Sequence, residues 1–145
     1  MKTLFDHERL DVYREAIAFC AWVGVFLDGT FGRTAAKDQL DRASTSIPLN
    51  IAEGNGKFSQ RDRARFLEMA RGSALECAAC LDVLIARRLT TPEAILAAKE
   101  QLARIVQMLV GLLKRFSERA EVMREEASGY GIDYEHDHEQ EHESR

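Results

Sequence analysis

Proline is scarce: two residues in 145 leave little to interrupt long helices. Cysteine is scarce too. Cys20, Cys77 and Cys80 are odd in number and two share one helical stretch, which fits reduced thiols packed in the core of a cytoplasmic protein. Cys77-x-x-Cys80 has neither a preceding strand nor a second cysteine pair, so a redox or zinc reading lacks its context. The four histidines are His7, His136, His138 and His142. The Glu-x-x-His runs, residues 135–138 and 139–142, lie outside every helical pattern, which argues against the di-metal carboxylate site that bundles host. The apolar run at residues 16–27 falls short of the ~20 residues a membrane span needs. Before it, Asp6, Glu8, Asp11 and Glu15 mix with Lys2, Arg9 and Arg14, unlike a cationic signal-peptide start. No membrane or targeting segment is expected, nor a metal or cofactor. No nucleophile stands with a base to hand, so no enzyme is expected.

Charge of one sign is also missing from the body of the chain. From Asp133 onward six acids face Arg145 alone, a local net of −5; against −4 overall this leaves the rest at +1. A near-neutral body argues against a protein whose main work is coating nucleic acid. What is present is 46% apolar and 30% charged residues, ordinary for one helical domain with a real core. The expected division is an N-terminal arm over 1–8, a four-helix bundle over 9–128, and an acidic, His-containing disordered tail over 129–145.

Periodicity sets out the helices. The first runs over 9–27, with apolar stripes covering about twice the ~100° of a one-sided helix. Phe19, Trp22, Val25 and Phe26 on its greasy second half are expected at a subunit interface. Thr34 caps a second helix over 35–53. Pro48 inside it forfeits the hydrogen bond to the Ser44 carbonyl, at ~3 kcal/mol or a kink, with the Ser44 and Thr45 hydroxyls placed to take up freed backbone groups. The competing reading is a break at Pro48. Gly54 and Gly56 are expected to end this helix in the left-handed conformation. Ser59 caps a third helix over 60–88 whose core positions are Leu67, Ala70, Ala74, Cys77, Leu81 and Leu84. Gly72, Ala79 and Ala86 recur every seven residues on its other face and are expected to admit a neighbouring helix. Thr91-Pro92 opens a fourth helix with the cleanest seam: Ile95, Ala98, Leu102, Ile105, Leu109, Leu112 and Phe116. Its phase drifts afterwards, and the helix ends by 128–131.

Two polar constellations stand out. Arg42, Ser46, Asn50 and Glu53 form one face of helix two, and a hairpin with helix three brings Ser73 and Glu76 near them. The expectation is a structural network containing an Arg42–Glu76 ion pair that fixes helix register. Lys57, Arg61, Arg63 and Arg65 cluster around the following turn as the candidate nucleic-acid contacts, repeated around any ring of subunits.

The run S-I-P-L-N-I-A-E-G at residues 46–54, followed by F-L-E-M-A-R-G-S-A-L-E at 66–76, resembles the 23S ribosomal RNA intervening-sequence proteins over residues 10–116. The resemblance implies an all-α fold: an antiparallel up-and-down four-helix bundle, here with a kinked second helix, assembling into a ring-shaped homopentamer. It brings no established enzymatic activity and no catalytic residues. A more distant similarity, to the accessory variability proteins of diversity-generating retroelements, implies RNA and a reverse transcriptase as partners; the first resemblance implies a ribosomal component. The chain thus reads as a non-enzymatic, oligomeric interaction protein, with a nucleic-acid-binding module as the alternative.

Overall fold

The computed structural model describes residues 2–129, less the side chain of Ala120. A 3-10 turn at Asp6–Arg9 precedes four helices: α1 Asp11–Asp28, α2 Ala35–Asn55, α3 Gln60–Ala86 and α4 Pro92–Gly129. No strand occurs among the described residues. The chain falls into two compact units, residues 1–113 and 114–145. In the second, residues 114–129 are helical with no described side chain buried, and Val122 and Met123 are exposed. Apart from Gly129, the expected tail over 129–145 lies outside the described residues.

The helix starts are where side-chain oxygens meet orphan backbone donors. Thr34 Oγ1 accepts from the Lys37 amide at 3.3 Å, Ser59 Oγ from Asp62 at 3.1 Å, and Thr91 Oγ1 from Ala94 at 3.2 Å. In unit 1–113, short turns between helices make sequential neighbours antiparallel. The register of α2 against α3 shows it: Gly54 lies against Phe66, Ser46 against Ser73, and Gln39 against Glu76. Arg104 of α4 reaches Glu15 of α1 at 3.0 Å, and Lys99 pairs with Asp82 of α3.

The core follows the periodic positions. All six expected on α3 are buried, as are Ile95, Ala98, Leu102, Ile105 and Leu109 of α4. Leu40, Ile47 and Ile51 of α2 and Val12, Ala16, Phe19 and Val23 of α1 are buried as well.

Several local expectations are corrected. The N-terminal arm is not free of the bundle, for its 3-10 turn is pinned: the Glu8 carboxylate accepts from the Leu4 amide at 2.8 Å, and Asp6 accepts from Asn55 Nδ2 at 3.0 Å. Helix α2 passes through Pro48, as the first reading expects, and the competing break does not occur. The Ser44 and Thr45 hydroxyls both turn back to the Asp41 carbonyl, at 2.9 and 3.0 Å, and not to the group that Pro48 frees. That group, the Ser44 carbonyl, instead accepts the Cys20 thiol of α1 at 3.2 Å. Gly54 is helical and buried, and Gly56 ends α2 at φ −83, so neither is left-handed. The left-handed residue after α3 is Arg88, at φ 59, where the Leu89 amide reaches back to the Leu84 carbonyl at 2.9 Å.

Candidate functional site

The polar seam forms where α2 and α3 run side by side. Ser73 donates to Ser46 Oγ at 2.9 Å, and Asn50 Nδ2 donates to both Ser46 Oγ at 2.8 Å and the Ser46 carbonyl at 2.9 Å. All three residues are half-buried. Arg42 and Glu53 stay outside this network; with Asp41, Thr45 and Leu49 they line an open groove of about 430 Å³. The expected Arg42–Glu76 pair is absent, because Glu76 takes the Gln39 amide instead. Ser46, one turn along α2 from Arg42, is the residue set against Ser73, while Arg42 lies with the groove residues.

Chemically the seam is quiet. The shifted groups among the described residues are thiols. Burial pushes Cys77 up to about 12, helped by Cys80, Glu76 and Cys20 nearby; burial likewise raises Cys80, and Cys20 with Asp41 adding to it. A thiol held protonated is a poor nucleophile and metal ligand. No three His, Cys, Asp or Glu side chains converge on a metal position among the described residues.

The basic turn after α2 is more shaped. Arg63 is drawn inward, its Nε donating to the Lys57 carbonyl at 2.7 Å. Lys57 Nζ and the Arg65 guanidinium both lie over the Phe66 ring, at 5.1 and 5.0 Å from its centroid. Arg61 and Arg65 are exposed, and Phe58 beside them is entirely so, at 102%. The structure therefore brings Lys57, Arg61 and Arg65 to one turn and assigns Arg63 to holding that turn together.

Along α1 the outward face is the unusual one. Phe19 is 0% exposed, which corrects its assignment to an interface: it points at the monomer's own core. Trp22 and Phe26 are half-buried and stacked on each other, 4.7 Å between centroids. Val25 is 76% exposed, and it shares the outer face with Ile17, Ala18, Ala21 and Gly24, all exposed. On α3, Gly72, Ala79 and Ala86 are exposed, with Leu75 and Val83 among them also exposed. Ala79 and Val83 border a mainly apolar groove of about 330 Å³ shared with Ala35 and Ala36 of α2.

Sequence reasoning missed Lys37. It is 5% exposed, and its ammonium donates to the Phe31 carbonyl at 2.6 Å and the Gly32 carbonyl at 2.8 Å, locking the α1–α2 turn. Its signal was a lysine in the first turn of a helix just after a glycine turn, too common a pattern to mark burial.

Comparison with known proteins bears on this architecture. None of the curated proteins matches the chain. A solved structure from Bacteroides thetaiotaomicron, a protein with unknown function from the S23 ribosomal protein family, is similar at 23% identity and a TM-score of 0.68. The match covers 71% of this chain and 98% of that one, and it shows a shared fold. The model of the 23S rRNA-intervening sequence protein family matches residues 8–111, which hold α1–α3 and most of the α4 seam. On that match, the chain belongs to the 23S rRNA-intervening sequence protein family.

Proposed function

We propose that this chain is a non-enzymatic, self-associating bundle that serves as an accessory factor to RNA or the ribosome. One observation carries the self-association. Between Glu15 and Asp28 no side chain is charged, yet Ile17, Ala18, Ala21, Gly24 and Val25 face outward. That leaves about three helical turns of α1 dry in character and wet in position. Full burial of a side chain such as Val25 or Ile17 stabilises by about 1.5–3 kcal/mol, enough for a few such residues to drive association.

The complementary surface is the outward face of α3, where Gly72, Ala79 and Ala86 leave room for a helix to approach; nothing lies within 4 Å of where a Cβ on Gly72 would sit. Two different faces meeting make a head-to-tail contact, which closes into a ring when the rotation allows. The family resemblance implies five copies. The accessory role rests on the family's description and on the ribosomal family of the structural neighbour.

The test uses one charge on each face. Val25→Asp and Ala79→Asp are exposed substitutions, so each variant should keep its helix content and fall to a single chain in sedimentation velocity. Mixed together, the two should form a dimer, because each retains the face the other lacks. If both variants keep the wild-type mass, association does not use these faces.

A further inference from the structure

We propose that the α2–α3 turn is a binding site for single-stranded nucleic acid, in which Phe58 is the platform for a stacked base and Lys57, Arg61 and Arg65 contact the flanking phosphates. This rests on the accessory reading above and adds the strand type and the residues; it does not depend on self-association.

Phe58 carries the inference. Its ring is fully solvated although the turn around it is held on both sides. Before it, the Gly56 amide donates to the Ala52 and Glu53 carbonyls at 3.2 and 3.1 Å, and the Lys57 amide to Gly54 at 3.2 Å. After it, Ser59 caps α3, and Arg63 ties back to the Lys57 carbonyl. A bare aromatic ring on a fixed backbone is preordered for stacking, so little ordering entropy remains to oppose binding. The charges around it suit an anion. Residues 57–65 hold four cations and one acid, Asp62, whose pairing with Arg65 is loose at 4.0 Å with both side chains more than half exposed. Lys57 and Arg65 are steadied over Phe66, which fixes where their positive charge is presented.

Ring and cations together select the ligand. An acidic peptide satisfies the cations and leaves Phe58 unexplained. A duplex offers phosphates, but its bases are already stacked on each other. A single strand offers both a phosphate chain and free base faces, and base–aromatic stacking tolerates any sequence. The other fully exposed phenylalanine, Phe31, has Asp28 and Arg33 near it in sequence and no such run of cations.

The probe is a fluorescein-labelled single-stranded RNA of about 16 nucleotides, compared with the same strand annealed to its complement, by anisotropy on the full chain. The single strand should bind more tightly than the duplex. Phe58→Ala should weaken single-strand binding roughly 5- to 150-fold, and Phe58→Trp should retain it. Arg61→Gln with Arg65→Gln should flatten the log–log salt slope by about 1.4. Equal affinity of Phe58→Ala and wild type, with the duplex bound as tightly, would reduce the contact to charge alone; the stacking site falls and the accessory reading stands. Absence of binding even at low salt takes down both the site and the RNA side of that reading. Poly-glutamate displacing the strand at equal charge, or Phe58→Ala altering the sedimenting mass, would reassign the turn to an acidic protein partner or to a second copy.

Discussion

Cys20 and Pro48, on different helices, act on one oxygen. Proline at position 48 removes the amide that would bond the Ser44 carbonyl, and Ser44 is buried at 2% exposure, so water does not replace it. The Cys20 thiol supplies the missing donor from α1. A double-mutant cycle isolates this contact. Cys20→Ala should cost more stability with Pro48 in place than in a Pro48→Ala background, where the helix supplies its own donor; the expected coupling is about 0.5–1 kcal/mol by urea unfolding. Additive losses would mean that the thiol only fills space. From sequence, the orphaned carbonyl was legible and its partner was not. Helical periodicity marked Cys20 as a packing residue, and nothing local connects it to a proline on another helix.

At the scale of the element, the hairpin of α2 and α3 depends on Gly54. A Cβ there would sit 2.9 Å from the Phe66 Cβ and 3.3 Å from the Arg63 carbonyl, so the helices cross too closely for any side chain. Gly54→Ala should therefore destabilise by about 1–3 kcal/mol despite alanine's better helix propensity, read as a lowered urea midpoint. A stabilised variant would show that the helices part easily here. The glycine itself was conspicuous in the sequence, but its φ requirement was the wrong explanation; glycine at a helix end and glycine at a helix crossing look alike in one dimension. The caps were legible because Thr34, Ser59 and Thr91 act within three residues of themselves. The polar seam was half legible. Residues sharing a face of α2 were evident, whereas which of them meets a given residue of α3 was not: Glu76 takes Gln39, one turn before Arg42 on α2.

For the whole molecule, the four-helix architecture was readable because the seams of α3 and α4 repeat without conflict and the breaks between helices carry their own chemistry. Which apolar residues face inward was not. A stretch greasy on every side gives no phase, so Phe19 and Val25 looked equivalent until the fold buried one and left the other 76% exposed. That outward face of α1 is the feature that a solitary bundle does not account for. The most direct measurement is the mass of the wild-type chain by sedimentation equilibrium at micromolar concentration. The account predicts a single species several times the 16.4 kDa of one chain, five times if the ring is a pentamer. A stable species of 16.4 kDa across that range contradicts it.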